Sequence, residues 1–233
     1  MIKACNLVHH YGVRPILRNV SLKVRQGELV VLMGANGCGK STLLGTMAGL
    51  LWPIEGHVEI DGLQRRSCVK AEIAIRKKVA YLPDHPWLPL SRTGREYLMA
   101  VGQIYDLPTA HIMDHMERLL ELFHLTDKGD STMQSYSNGQ QKKIAIAATL
   151  ITEAPILLLD EPFTGGLDPS AILALKNVLK NLAQREDTTV VMASQLPEIA
   201  AATAHRIAVI QDGVILHYDS PTDLIKSQNS ENL

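Results

Sequence analysis

Residues 30–42 read VVLMGANGCGKST, and this stretch decides the fold. An apolar run typical of a β-strand, residues 30–33, feeds a glycine-rich loop, and the loop leads into an apolar, helix-like segment at residues 43–51. A strand, a loop of the form GxxxxGK[ST] and a helix, in this order, form a phosphate-binding loop, or P-loop. The stretch therefore predicts an α/β protein with an anion site at the end of a strand.

The residue types of this loop suit a polyphosphate. Its glycines allow a tight turn whose N–H groups point inward, at the positive end of the following helix. Lys40 is expected to contact the β- and γ-phosphates, and the Ser41 hydroxyl is expected to ligate Mg²⁺. An ordinary glycine-rich turn is the alternative, but a Lys-Ser-Thr end at a helix start has no packing reason. We predict nucleoside triphosphate binding by Gly34, Ala35, Asn36, Gly37, Cys38, Gly39, Lys40, Ser41 and Thr42.

Composition sets broad limits. The chain has 233 residues, with 46% hydrophobic and 20% charged residues, as in a globular protein of one large or two small domains. A formal net charge of −1 argues against nucleic acid as a partner. Basic clusters at residues 65–66, 76–78 and 142–143 are interpreted as solvated helix faces.

Cysteine usage and apolar patterning indicate the compartment. Three cysteines without metal-ligand spacing favour a reducing, cytosolic setting. Lys3 and Asn6 interrupt any N-terminal apolar region, so no signal peptide is predicted. The charge-free stretch at residues 41–54 is too short to span a bilayer. If the protein works at a membrane, another chain is expected to supply the spans.

The rest of the chain divides into a β-rich frame and a helical insert. Strand patterns occur at residues 2–8, 20–24, 57–60 and 79–82, and the strict alternation of 20–24 predicts a half-buried antiparallel strand. Helical spacing then appears at 95–104, 112–123 and 140–151. Buried strands are predicted at 154–160 and 188–193, helices at 170–184 and 198–203, and a hairpin with an Asp-Gly turn at 207–218. We predict an ATP-binding core of residues 1–83 and 150–222, a helical subdomain of residues 84–149 and a polar tail of residues 223–233.

A second group of candidate site residues follows a buried strand. Asp160 and Glu161 come directly after four apolar residues, at the edge of the sheet where the P-loop is also expected. Asp160 is expected to reach Mg²⁺, and Glu161 to polarise an attacking water. The alternative is a solvent-exposed turn at the strand end. Two adjacent carboxylates in apolar surroundings would be costly without a cation, which favours the functional interpretation.

Further segments resemble motifs of the ATP-binding cassette (ABC) ATPases, and the nucleotide-binding subunits of ABC transporters in particular. Residues 136–140 (YSNGQ) are similar to the signature motif of that family, and residues 165–168 (GGLD) to its D-loop. The resemblance covers residues 2–222. It implies a P-loop NTPase of ABC type, with a mixed sheet core, an N-terminal antiparallel β part and a helical subdomain insert.

The resemblance also implies roles for residues outside the P-loop. Tyr11 stands where the family stacks an aromatic ring on adenine, and Gln195 stands where it has its switch histidine. In a head-to-tail dimer, the signature would cap ATP bound to the partner's P-loop. The remaining residues implied in nucleotide binding are Ser137, Asn138, Gly139, Gln140 and Asp168, and Asp84 is an implied Mg²⁺ contact.

Three positions depart from the family pattern. Asn138 replaces the first signature glycine, Asp84 replaces the Q-loop glutamine, and Gln195 replaces the switch histidine. Glutamine donates a hydrogen bond but cannot become cationic, so slow hydrolysis is expected. His111 and His115 have the spacing of a ligand pair on a helix, but no third ligand is evident in the sequence. They are interpreted as surface polar residues.

The leading functional prediction is an ATPase that powers an exporter-like ABC transporter through dimer closure on ATP and Mg²⁺. Its expected partners are a second cassette and separate transmembrane subunits, at the cytoplasmic face of the membrane. The alternative is a soluble ATP-binding switch with little turnover that regulates a partner. A nucleic-acid-handling ABC ATPase is a weaker third possibility, because no basic stripe is present.

Overall fold

The computed structural model describes residues 1–185 and 187–230, with side chains up to residue 226. The described residues form ten strands and eight α-helices. The strands are β1 (Ile2–His10), β2 (Pro15–Val24), β3 (Leu29–Met33), β4 (Glu55–Ile60), β5 (Leu63–Gln64), β6 (Val79–Leu82), β7 (Ile156–Asp160), β8 (Thr189–Ala193), β9 (Arg206–Gln211) and β10 (Val214–Asp219). The helices are α1 (Lys40–Ala48), α2 (Val69–Arg76), α3 (Gly94–Ile104), α4 (Thr109–Leu122), α5 (Asn138–Leu150), α6 (Pro169–Arg185), α7 (Pro197–Thr203) and α8 (Pro221–Ser230).

A six-stranded sheet of order β10-β9-β3-β8-β7-β6 is the centre of the molecule. Strands β9, β3, β8, β7 and β6 run parallel, and only β10 is antiparallel to its neighbour. Every residue of β7 and β8 is buried, as their continuous apolar runs predict for strands covered on both faces. The carboxyl ends of β3, β7 and β8 therefore meet at one edge of the sheet.

A smaller antiparallel sheet of order β2-β1-β4-β5 lies beside it. The predicted alternation in β2 is confirmed, because Val20, Leu22 and Val24 are buried while the residues between them are exposed. Apolar side chains of α1 join this sheet and the central sheet in one core cluster. Since α1 starts at Lys40, within the P-loop motif, this packing fixes the loop between the two sheets.

The three predicted helices between β6 and β7 are confirmed as α3, α4 and α5. One face of α4 is buried, formed by Ile112, Met116, Leu119 and Leu120, and Phe123 continues this face beyond the helix. A Thr93–Glu96 capping box starts α3. The division into a core and a helical subdomain at residues 84 and 149 remains a prediction.

Some elements differ from the sequence expectations. Helix α2 is missed because only Ala71 and Ile75 of its eight residues are buried, which leaves a weak apolar pattern. Helix α8 occupies Pro221–Ser230, where a polar tail is predicted, and residues 231–233 of that tail lie outside the described residues. No helix within residues 1–185 and 187–230 has both the length and the apolar character needed to cross a membrane.

Two of the three basic clusters are not solvated faces. Arg65 is buried and donates to the Met47 carbonyl at 2.7 Å and to Glu72 at 2.8 Å. Lys142 and Lys143 of α5 are also buried. The interpretation as solvated helix faces is therefore wrong for residues 65–66 and 142–143.

Candidate functional site

The P-loop leaves β3 and enters α1 through backbone conformations that favour glycine. Gly34 has φ of 153°, and a Cβ at this position would lie 2.2 Å from the Ile210 carbonyl oxygen. Gly39, with φ of 111°, is the N-cap of α1. The loop tip, Ala35 to Gly37, is exposed. The geometry therefore presents backbone groups to solvent at the start of a helix, as anion binding requires.

The Lys40 side chain folds back against its own P-loop. Its Nζ donates to the carbonyl oxygens of Gly34 at 2.8 Å and Ala35 at 3.1 Å, and the residue is only 6% exposed. These two hydrogen bonds hold the ammonium group against the loop. The positive charge is thus preorganised beside the exposed backbone of the loop tip.

Cys38 contributes to the loop through its backbone and not through its thiol. The side chain is buried in the apolar cluster below the loop, and the N–H group donates to the Ala35 carbonyl at 3.3 Å. Its assignment to nucleotide binding therefore concerns the loop backbone, which its buried side chain anchors.

Ser41 and Asp160 meet at the edge of the central sheet, as predicted for a cation site. The Ser41 Oγ donates to Asp160 Oδ1 at 3.1 Å, and Asp160 is only 2% exposed. Burial raises the pKa of Asp160, and the negative charges of Asp84 and Glu161 raise it further against the lowering effect of the Ser41 hydrogen bond. A divalent cation would relieve this concentration of negative charge, and hydroxyl and carboxylate oxygens are the ligands that Mg²⁺ prefers.

Glu161 is held by the strand next to its own. Its N–H donates to the Ala193 carbonyl at 3.1 Å, and its Oε1 accepts a hydrogen bond of 3.1 Å from Gln195 Nε2. With φ of 44°, Glu161 has a left-handed backbone that turns the chain sharply after β7. The structure thus brings the candidate general base and the candidate switch residue into direct contact.

Asp84 contacts α5 through Lys142, a lysine for which the sequence predicted no role in the site. Lys142 Nζ donates to the Asp84 carbonyl at 2.9 Å and lies 3.8 Å from its carboxylate, which also accepts from Thr164 Oγ1 at 3.4 Å. Burial lowers the pKa of Lys142, while the charges of Asp84, Asp160 and Glu161 oppose that effect. The signal for this role was available, since Lys142 and Lys143 directly precede an apolar run, residues 144–148, that is buried on every side of the helix.

The signature segment forms the start of α5. Ser137 accepts from the Gln140 N–H, and Gln140 Oε1 accepts from the Ser137 N–H, which completes a capping box. Ser137 and Asn138 are exposed. A Cβ on Gly139 would lie 2.4 Å from the Gly166 carbonyl oxygen, so the signature and the D-loop pack closely.

Asp168 of the D-loop forms an ion pair with buried Lys143 of α5. It also accepts from Ser170 Oγ at 2.5 Å and from the Ala171 N–H at 2.9 Å, which caps α6. The hydrogen bond from Lys143 has the largest effect on Asp168. Together with those from Ser170 and Ala171, it holds the pKa of Asp168 well below its usual range. Among the described residues, no hydrogen bond or ion pair joins Ser137, Asn138 or Gly139 to the P-loop of the same chain.

Tyr11 is 67% exposed and packs edge-on against His9, with ring centroids 4.8 Å apart. A cavity of about 590 Å³ beside the P-loop is lined by residues 34–38 of the loop and by Arg14 and Arg18. Neither arginine belongs to a recognised sequence motif. Their positive charges lie beside the P-loop, where they would attract a polyphosphate.

The class of protein follows from this arrangement. A P-loop leaves the central strand of a parallel sheet, and an acidic pair ends the strand two positions away at the same edge. This combination defines a P-loop nucleotide-binding protein.

Comparison with known proteins identifies the family. The chain matches the ABC transporter family over residues 17–164. It is 34% identical over 206 residues to the daunorubicin resistance ATP-binding protein DrrA3 of Streptomyces coeruleorubidus, a match that covers 88% of this chain and 64% of that protein. It is 31% identical over 232 residues to the probable ABC transporter ATP-binding protein PEB1C of Campylobacter jejuni, covering 99% of this chain and 95% of the relative.

A solved structure with a similar fold is the dimeric, post-hydrolysis state of an ATP-binding cassette bound to ADP and phosphate. It superimposes with a TM-score of 0.84 at 26% identity and covers 95% of this chain and 99% of that chain. The protein belongs to the ABC transporter family and is an ATP-binding subunit with the fold of an ABC ATPase. The family resemblance seen in the sequence is confirmed.

Proposed function

We propose that the protein hydrolyses ATP with Mg²⁺ at sites shared between two cassettes arranged head to tail, and that closure of this dimer powers an exporter-like transporter. The observation that carries the proposal is the contact of Ser41 with Asp160 beside the contact of Glu161 with Gln195. A cation position, a candidate base and a hydrogen-bond donor lie together at the sheet edge that receives the P-loop.

Each residue has a separate task in this proposal. Lys40 and the loop N–H groups bind the β- and γ-phosphates, and Ser41 and Asp160 hold Mg²⁺ with Asp84 nearby. When bound, the ion neutralises charge on the phosphate oxygens. Glu161 accepts the proton of the attacking water, while the Gln195 amide keeps the Glu161 carboxylate oriented.

The exposed signature supports a shared site. Ser137 and Asn138 are exposed at the start of a 13-residue helix, and the Ser137 hydroxyl and the helix N-terminus suit a γ-phosphate. Since Ser137 makes no hydrogen bond to its own P-loop, a second cassette is the natural source of the phosphate it would contact. A similar cassette has been solved as a dimer.

A mixing experiment tests the head-to-tail arrangement. We expect Lys40→Ala and Ser137→Arg to be inactive alone, because one lacks the P-loop lysine and the other blocks the signature. Mixed dimers would hold one complete site, so an equal mixture should recover about a quarter of wild-type activity under random pairing. The measurement is steady-state phosphate release.

Ser135→Arg is the matched control, because Ser135 is also exposed and precedes Ser137 by two residues. It should behave as wild type. Full activity of Ser137→Arg on its own would show that each chain carries a complete site, and the shared-site proposal would be abandoned.

We propose that residues 83–89 form the surface that docks onto the transmembrane subunits. Trp87 is 83% exposed, and a cavity of about 310 Å³ beside it is lined by Tyr97 and Tyr105 of the helical insert. Separate transmembrane subunits at the cytoplasmic face are the partners that we propose for this edge. The name of the drug-resistance relative supports the exporter-like assignment.

Gln195 also favours the competing function, a switch with little turnover. The amide supplies one neutral hydrogen bond, whereas an imidazole that shares positive charge would stabilise developing phosphate charge more strongly. We therefore expect slow intrinsic hydrolysis and an increase in kcat of roughly 10–150-fold in Gln195→His, equivalent to about 1.4–3 kcal/mol. ATP affinity should change little.

Gln103→His, on the exposed side of α3, is the control for an added histidine. The rate should be measured under saturating MgATP, with ATP affinity determined separately. Fast wild-type turnover that Gln195→His leaves unchanged would show that glutamine fully replaces histidine. Slow turnover that Gln195→His does not increase would favour the switch.

A further inference from the structure

A cluster of possible metal ligands lies between α4 and the turn that precedes β7, outside the nucleotide site. His111 and His115 stand one turn apart on α4, and Glu153 follows α5. One possible ligand atom from each of the three residues lies within 4.8 Å of the other two. The sequence showed only the histidine pair, and the fold adds a carboxylate 38 residues further along the chain from His115. The interpretation of these histidines as surface polar residues is therefore incomplete.

The distances within the cluster suit a small ion. His111 Nε2 lies 2.8 Å from Glu153 Oε1, and His115 Nδ1 lies 3.2 Å from the same oxygen. Metal–ligand bonds of about 2.0–2.2 Å in a tetrahedral zinc site place ligand atoms roughly 3.3 Å apart. Small side-chain rotations would thus centre one ion among the three groups.

One ring nitrogen of His115 is left without a hydrogen bond. Its Nδ1 is buried and, among the described residues, has no hydrogen-bond partner, because its approach to Glu153 lacks hydrogen-bond geometry. An unsatisfied buried polar atom is costly, and a coordinated ion would satisfy it. This nitrogen points to a ligand at the cluster independently of the spacing of the histidines.

We propose that His111, His115 and Glu153 bind a transition-metal dication, with Zn²⁺ as the preferred ion. Two imidazoles and one carboxylate are a zinc donor set, while Mg²⁺ favours oxygen ligands only. Burial lowers the pKa of His115, which disfavours the charged ring that cannot coordinate a metal. The neighbouring cation, Arg118, pairs with Asp114 at 2.6 Å.

The remaining coordination position would face a cleft of about 760 Å³ between the helical insert and α6. Water or an anionic group could complete the coordination from this cleft, which Asp187 and Arg118 also line. The bound ion would tie α4 to the turn that leads into β7. This strand ends in Asp160, but the proposed site shares no residue with the nucleotide site.

The site is tested by zinc titration of the untagged full-length chain after chelator treatment, with excess Mg²⁺ present to occupy the nucleotide-site carboxylates. We expect one Zn²⁺ per chain in the wild type. His111→Ala and Glu153→Gln should each weaken binding by at least the roughly 10–100-fold that loss of an outer-shell partner costs. His217→Ala, at an exposed position of β10, is the control and should bind as the wild type does.

Two further measurements separate the outcomes. Co²⁺ should give a spectrum of nitrogen and oxygen ligation without a thiolate band, which excludes the cysteines as ligands. Zn²⁺ should raise the melting temperature of the wild type and of Lys40→Ala, but not of His111→Ala. A wild-type chain that takes up no Zn²⁺, or one whose zinc affinity is unchanged in both His111→Ala and Glu153→Gln, would overturn the proposal. Circular dichroism without metal checks that each variant is folded.

Discussion

Lys40→Ala is expected to remove most of the affinity for ATP. The Lys40 ammonium group is fixed at the P-loop by the Gly34 and Ala35 carbonyls, so its charge is in place before a ligand arrives. Hydrogen bonds to charged groups contribute about 1.5–3 kcal/mol each, so loss of contacts to two phosphates should cost about 3 kcal/mol or more. This corresponds to roughly a 100-fold or greater loss of affinity, which calorimetry with MgATP would measure.

The structure adds a condition to this experiment. Lys40 is buried, so its removal also leaves two loop carbonyls without their partner. A thermal melt must therefore show that Lys40→Ala remains folded, and Lys70→Ala serves as a control at an exposed lysine of α2. Affinity like that of the wild type in a folded Lys40→Ala protein would contradict the assignment of the P-loop.

The elements with strong apolar patterns could be predicted from the sequence. Strand β7 has four consecutive apolar residues before Asp160, and so short a run is typical of a strand covered on both faces of a parallel sheet. The face of α4 was equally clear, because its apolar residues repeat at helical spacing. Helix α2 was missed because tertiary contacts, including the Arg65–Glu72 ion pair, stabilise a segment with few apolar residues.

The residue types of the nucleotide site were predictable, but most of their contacts were not. The P-loop is recognised by its own glycines and lysine, and Asp160 and Glu161 are recognised by the apolar strand directly before them. The hydrogen bond between Lys142 and Asp84 joins residues 58 positions apart. In addition, a lysine is usually exposed to solvent, so its burial was not expected. The carboxylate of the proposed zinc site was hidden for a similar reason, since only the fold places Glu153 beside α4.

Glu161→Gln is expected to separate ATP binding from hydrolysis. The substitution keeps the size and shape of the side chain, and its amide oxygen can still accept the hydrogen bond that Gln195 donates at 3.1 Å. The local structure at the end of β7 should therefore survive. What is lost is basicity, because a neutral amide cannot take a proton from water at neutral pH.

Loss of general-base catalysis typically costs about 10²–10⁴-fold, so we expect kcat for phosphate release to fall by that range while ATP affinity stays close to that of the wild type. Since hydrolysis would reopen the dimer in the proposed cycle, the Glu161→Gln protein should accumulate as an ATP-bound dimer. Light scattering after size exclusion with ATP would detect this species, and Lys40→Ala should remain monomeric in the same run. If Glu161→Gln hydrolyses ATP at the parent rate, another group acts as the base, and the contact between Gln195 and Glu161 positions a residue that the reaction does not need.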